Sequence, residues 1–305
     1  MRIILNGQQA FGRAALEKLL AAGKDEVVAV FTAPDQAGRP ADPVKQAALE
    51  RGLPLYQPAS YRDPETLEAL RELDADLMLM AYVVIFIPEA ARNIPRMGSI
   101  CFHPSLLPRH RGPSSINWAI LMGETRTGLT WFYPTDGLDE GDILLQWECE
   151  IGPDETLGEL YFGKIFPAGV DSVLEVAELF RAGRPPRRPQ EEARATYESW
   201  CRKADVKVDW AAPVAETYNR IRAGNPQPGA WTLFRGEELS LYDSRREPGE
   251  GHPGEVVAVG PEGVVVQGGG GRVRLIRVRP KGGEKMPAAS WAAAAGLAPG
   301  QRLDS

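Results

Sequence analysis

Residues 2–31 read RIILNGQQAFGRAALEKLLAAGKDEVVAVF. The first five residues are a short apolar run ending in Asn6, as a buried strand would be. Phe11, Ala14, Leu16, Leu19 and Leu20 then recur at near-helical spacing, and Gly23 offers a C-terminal stop. EVVAVF at 26–31 is a second apolar strand. The stretch is therefore strand, helix, strand, the unit from which a parallel sheet is built. Gly7 and Gly12 do not make the G-x-G-x-x-G spacing of a dinucleotide loop, so they are read as a tight turn and a close helix contact.

The same alternation continues outward. PVKQAALERG (43–52) and DPETLEALREL (63–73) read as helices, ADLMLMAY (75–82) as a strand, IPEAARNI (87–94) as a short helix and MGSICF (97–102) as a strand. LTWFY (129–133) and DILLQWECE (142–150) add two more strands. Leu157 to Ala182 is largely helical in pattern, with a bend expected at Pro167. The expected fold is α/β: a Rossmann-like parallel sheet with helices on both faces. GRPPRRPQEEARAT (183–196) is rich in proline and charge and reads as a linker. Beyond it comes a helix around 208–224, a hairpin in GAWTLFRGEELSLYDS (229–244), and short strands broken by glycine up to Pro280. These suggest a small OB-like β-barrel. QGGGG (267–271) reads as an exposed turn. The expected division is 1–182 for the catalytic domain, 183–204 for the linker and 205–305 for the β-barrel domain.

The 305 residues carry a formal charge of −6, which disfavours extensive phosphate binding and hence tRNA. Arg272, Arg274, Arg277, Arg279 and Lys281 cluster near the end of the chain and read as the solvated face of a strand. Three cysteines, Cys101, Cys149 and Cys201, are too few and too scattered for a zinc site or disulfide framework, so no metal is expected. No run approaches a membrane span and the start reads straight into a fold, so a cytoplasmic, membrane-free chain is expected.

Chemistry concentrates at FHPSLLPRHRG (102–112), which contains two of the three histidines. His103 ends an apolar strand, at the end of an open α/β sheet where ligands bind. Asp139 lies in DGLDEGD (136–142), a glycine-punctuated loop leading into another strand. A histidine paired with a carboxylate can move protons near neutral pH and can stabilise an oxyanion at a carbonyl carbon.

FHPSLLPRHRG, GLDEGD, INW, ATYE and PGAWT together resemble the 10-formyltetrahydrofolate-dependent formyltransferase family over essentially the full length. That family includes methionyl-tRNA formyltransferase, and the resemblance is nearest to the hydrolase domain of 10-formyltetrahydrofolate dehydrogenase. It implies His103 as the catalytic histidine and Asp139 as the essential aspartate. It also implies AYVVIFIP (81–88) as the pterin loop, with backbone groups of Ile85, Phe86 and Ile87, and Asp139, holding the folate. Many members carry Asn two residues before the histidine. Here Cys101 stands there, as in a branch that lacks the amide, with Ser105 as a further supporting residue. The thiol is a weak donor.

The implied activity is removal of the formyl group from 10-formyltetrahydrofolate, to water or to a small amine, without metal. Methionyl-tRNA formyltransferase is the alternative, and a non-catalytic folate-binding protein is the alternative of another class. Coupled oxidation of the formyl group is expected to need a separate dehydrogenase or carrier partner.

Overall fold

A computed structural model describes residues 1–183 and 185–305; Arg184, in the expected linker, lies outside the described residues. The chain forms two compact units, the first of residues 1–111, 128–148 and 164–197, the second of 112–127, 149–163 and 198–305.

The first unit opens with β1 (Arg2–Gly7), α1 (Gln9–Ala22), β2 (Glu26–Phe31), α2 (Pro43–Glu50) and β3 (Leu55–Tyr56). Next come α3 (Pro64–Glu72), β4 (Leu77–Ala81), α4 (Glu89–Arg92) and β5 (Ser99–His103). After α5 (Ser115–Leu121) follow β6 (Arg126–Phe132) and β7 (Ile143–Glu150). The seven strands lie in the order β3-β2-β1-β4-β5-β6-β7. β3, β2, β1, β4 and β5 are parallel to their neighbours, as the strand–helix alternation implies. β6 departs from this and runs antiparallel to β5, with His103 opposite Thr130. The physical reason lies in α5, which packs in the second unit instead of covering the sheet, so it does not act as a crossover helix.

Residues 157–182 divide into α6 (Leu157–Leu160), a π-helical turn (Tyr161–Ile165) and α7 (Phe166–Arg181). The irregularity thus precedes Pro167. The proline sits in the first turn of α7, where its missing N–H leaves no helical bond unmade. Gly169 of α7 lets Phe11 and Phe102 approach: a Cβ there would fall 2.8 Å from the Phe11 ring. Phe11 stacks on Phe102 at 4.2 Å between centroids, and Phe102 meets Trp131 edge-on at 5.4 Å. These rings anchor the middle of β5 and hold its two neighbours in the strand sequence, Cys101 and His103, on the opposite face.

Gly7 and Gly12 are both close-approach positions. A Cβ on Gly7 would lie 2.7 Å from the Ala81 carbonyl oxygen, and one on Gly12 would lie 3.0 Å from the Gly7 backbone. The tight turn expected at Gly7 is instead the end of β1 pressed against β4.

The second unit holds α8 (Val214–Ala223), β8 (Ala230–Phe234), β9 (Glu237–Leu241), β10 (Ser244–Glu247), β11 (Val256–Gly260) and β12 (Gly263–Gly268). It ends with β13 (Gly271–Leu275), β14 (Arg277–Pro280), β15 (Met286–Pro287) and α9 (Ala288–Ala295). Two four-stranded sheets, β10-β13-β12-β11 and β15-β14-β9-β8, supply Val264, Val266, Val273, Leu239, Leu241 and Val278 to one core. Arg235 and Gly236 take φ of 51° and 78°, the two left-handed residues that a two-residue turn between β8 and β9 demands.

QGGGG is more than an exposed turn. Gln267 is buried in β12, its amide donating to the Gly268 and Gly271 carbonyls at 2.9 and 2.8 Å. A Cβ on Gly271 would meet Val214 at 2.7 Å, so packing, not solvent exposure, selects glycine there.

Among the described residues no helix is long and apolar enough to cross a membrane.

Candidate active site

His103 ends β5 and is buried, so its ring nitrogens depend on protein partners. The loop that follows turns back over it. Thr130 on β6 donates its hydroxyl to the Ser105 carbonyl at 2.6 Å and accepts the Leu107 N–H at 3.2 Å. Ser105 donates its own hydroxyl to the Arg109 carbonyl at 2.7 Å. The loop thereby brings the His110 carbonyl to 2.8 Å from His103 Nε2. A carbonyl only accepts, so Nε2 carries a proton and the neutral ring presents its lone pair at Nδ1. Nδ1 faces Asp139 Oδ2 at 3.6 Å. The imidazole is therefore oriented by a main-chain group, and the nitrogen free to gain a proton is the one beside the carboxylate.

The loop between β6 and β7 closes through the Tyr133 N–H on the Asp142 carbonyl at 2.9 Å. Gly141 passes so near the Tyr133 carbonyl that a Cβ would lie 1.5 Å from its oxygen, which explains the second glycine of GLDEGD. Asp139 itself takes φ of 54°, the left-handed region that aspartate tolerates better than most residues. Such conformations persist where surrounding bonds over-determine them. Here Gln190 provides those bonds, donating its side-chain amide to the Asp139 and Gly141 carbonyls at 2.8 and 2.7 Å.

The Cys101 thiol donates to the Phe102 carbonyl, with 3.6 Å between sulfur and oxygen. Burial raises its pKa, and the negative charge of Asp139 raises it further. The group two residues before His103 is thus a neutral, weak donor, close enough to Asp139 to feel its charge. Ser105 is fully buried with its hydroxyl committed to the turn, so it shapes the loop and does not open onto the His103–Asp139 pair.

The segment 82–88 follows β4, and Tyr82 begins it with φ of 64°. Ile87 is buried and its carbonyl accepts from Arg92 at 3.2 Å, while Ile85 packs against the core around Met78 and Met80. Phe86 is half exposed, with the Arg62 guanidinium 5.5 Å from its ring centre. The three residues thus have different surroundings: two lean inward and one is presented outward. Arg92 also pairs with Asp136, whose carboxyl is held below its ordinary range first by that hydrogen bond. This fastens the 133–142 loop to α4, next to the 82–88 segment. Among the described residues no three His, Cys, Asp or Glu side chains converge as a metal cage requires.

Sequence reasoning missed Arg111, Gln190 and Thr130. Arg111, which is fully buried, carried a signal only in its place at the end of the histidine-bearing HPSLLPRHR stretch. Gln190 carried none, because it lies in a segment whose composition reads as solvated.

The sequence pattern of the formyl transferase family matches residues 1–163, and that of the formyl transferase C-terminal domain matches residues 201–296. The chain is 37% identical over 310 residues to cytosolic 10-formyltetrahydrofolate dehydrogenase of Mus musculus, covering 95% of this chain and 34% of that protein. It therefore spans about a third of the length of such dehydrogenase relatives. It is 39% identical over 310 residues to methionyl-tRNA formyltransferase of Moorella thermoacetica, with 99% of both chains covered. Among solved structures, HypX from Aquifex aeolicus in complex with tetrahydrofolic acid superposes with a TM-score of 0.67 at 23% identity, over 96% of this chain and 47% of that one. At that identity the likeness concerns the fold. The two domain patterns and the full-length relatives agree: the chain belongs to the formyl transferase family.

Proposed function

We propose that the protein removes the formyl group from 10-formyltetrahydrofolate and gives it to water or to a small amine. The observation that carries this reading is the His103–Asp139 pair, with Nε2 held by a carbonyl and Nδ1 turned toward the carboxylate at 3.6 Å. Asp139 accepts a proton from the attacking water or amine as it adds to the formyl carbon. Asp139 passes that proton to His103 Nδ1; the imidazolium so formed stabilises the oxyanion and gives the proton to the departing folate nitrogen, which returns both groups to their starting state. General acid–base assistance of this kind is worth roughly 10²–10⁴ in rate. The folate lies against the 82–88 segment, where Phe86 offers an exposed ring face and Ile85 and Ile87 supply backbone groups. An apolar loop with a few polar backbone atoms suits a flat heterocycle. Water is favoured over an amine as acceptor because Cys101 replaces the amide that amine-formylating members place near the oxyanion, and a thiol is a weak donor.

A second reading, methionyl-tRNA formyltransferase, is favoured by one observation: the match to the Moorella thermoacetica enzyme runs through 99% of both chains. Against it, three of the five cations of the tail already face carboxylates. Arg274 pairs with Glu247 and Glu262, Arg277 lies 3.9 Å from Asp243, and Lys281 lies 2.9 Å from Glu237. A polyanion would have to displace those carboxylates before gaining the counterion-release energy that drives such binding.

The two readings separate when the protein is given 10-formyltetrahydrofolate with water alone, with small amines, or with charged initiator Met-tRNA. Formate or formylated amine should appear with or without tRNA. Formyl-Met-tRNA made at the rate of formate release, or faster, would promote the second reading.

A further inference from the structure

The segment 188–197 reads as a solvated linker, yet it is bonded to both loops of the site. Arg188 pairs with Ile143 through two main-chain hydrogen bonds of 2.8 and 3.0 Å, just beyond the Asp139 loop. Thr196 binds the other loop: it accepts the His110 N–H on its hydroxyl at 2.8 Å and the Arg111 N–H on its carbonyl at 3.0 Å. Between these anchors stands Gln190. Its amide nitrogen donates to the Asp139 and Gly141 carbonyls, and its oxygen accepts from Arg111 Nε and Nη2 at 3.1 and 2.8 Å. Carbonyls can only accept and a guanidinium can only donate, so the amide has one possible orientation and uses all its capacity. Arg111 is fully buried, and Glu192 at 3.0 Å and the Tyr197 hydroxyl also hold it. Tyr197 in turn donates to Glu140 at 3.0 Å, a second tie to the same loop.

We propose that Gln190, oriented by Arg111, is a positioning residue that sets the Asp139 carboxylate opposite His103. This rests on the reading of Asp139 as the group that readies the acceptor. The left-handed backbone of Asp139 ends at the first of the two carbonyls that Gln190 grips, and the carboxylate stands on that backbone. Without the grip the loop relaxes toward φ values that aspartate prefers, and Asp139 Oδ2 moves relative to Nδ1. A misplacement on the order of 1 Å can cost roughly 10²-fold in rate.

The test is Gln190→Glu, with Gln190→Met as a second variant should the first fail to fold. Glutamate keeps the size and the partnership with Arg111 but sets carboxylate oxygens against the two carbonyls. A role confined to packing or to pairing with Arg111 therefore survives the change, and a positioning role does not. Backbone hydrogen exchange over 136–142 and steady-state kinetics with 10-formyltetrahydrofolate are measured together. The expected result is faster exchange confined to that loop, kcat lowered roughly 10- to 100-fold, and KM changed by less than about threefold. Exchange equal to wild type overturns the proposal whatever the activity. Faster exchange with wild-type kcat overturns it as well. If the wild-type protein itself releases no formyl group, the functional reading falls, and faster exchange in the variant shows only that Gln190 holds the loop that carries Asp139.

Discussion

The Cys101 thiol is held protonated from two directions, by burial and by the charge on Asp139. A nucleophilic cysteine needs the opposite setting, a cationic or exposed one that favours the thiolate. Cys101→Ala should therefore leave formyl release within about threefold of wild type, and iodoacetamide at pH 8 should label Cys101 at least about tenfold more slowly than a free thiol. Loss of turnover in Cys101→Ala, together with a formylated Cys101 peptide by mass spectrometry, would contradict this. Cys101→Asn should raise transfer to small amines relative to water, by less than the ~3 kcal/mol that a well-aimed oxyanion donor provides. The pH dependence follows the same sign. A thiol whose folded pKa is raised contributes full stability below its ordinary value of about 8.5 and progressively less above it, where the unfolded chain sheds a proton and the folded chain does not. At this scale the approach of His103 and Asp139 was anticipated from a rare imidazole at a strand end and a glycine-bracketed carboxylate, with the family resemblance pointing to the same two residues. Gln190 was not, since an amide that grips main-chain carbonyls leaves no periodicity, charge pattern or spacing in the sequence.

Strands announce themselves by apolar runs, but their direction depends on what the connecting helix packs against. β1, β2, β4 and β5 were legible for that reason, and the reversal of β6 was not, because nothing within SINWAIL (115–121) says that α5 joins the second unit. In the same way Gly7 is visible as a glycine, while its reason, the Ala81 carbonyl 2.7 Å from a Cβ, belongs to another strand. Asp76 gives a test of how β1 and β4 are fastened. Its carboxylate accepts the Arg2 N–H at 2.7 Å and pairs with Arg96 at 2.8 Å. These partners, the main-chain bond first, hold its pKa below the ordinary value. Asp76→Asn should cost about 1 kcal/mol at pH 7, the usual net worth of one hydrogen bond. A depressed carboxyl contributes above its unfolded pKa of about 3.9 and loses that contribution as the pH falls through the lower folded value. The gap between wild type and variant in urea unfolding should therefore close in acid. A gap independent of pH would show that charge plays no part in this fastening.

Over the whole molecule, the two-part organisation follows from a change of sequence rhythm, from strand–helix alternation to closely spaced strands with glycine turns. What composition could not convey is that residues 112–127 and 149–163 join the later unit and residues 188–197 bind the earlier one. For residues 188–197, bonds such as that from Gln190 to the Asp139 carbonyl link positions far apart in sequence. All of this bears on one claim, that His103 and Asp139 together take the formyl group from 10-formyltetrahydrofolate. The most direct measurement is single-turnover formate release from that folate by the wild-type protein, His103→Ala, Asp139→Asn and the double variant, each checked for an unchanged fold. Wild type should release formate stoichiometrically with tetrahydrofolate. Each single variant should be slower by roughly 10²–10⁴-fold, and the double variant little slower than the worse single one, since groups acting on one transition state are far from additive. Near-wild-type release in either single variant, or full multiplicative losses in the double, would contradict the account.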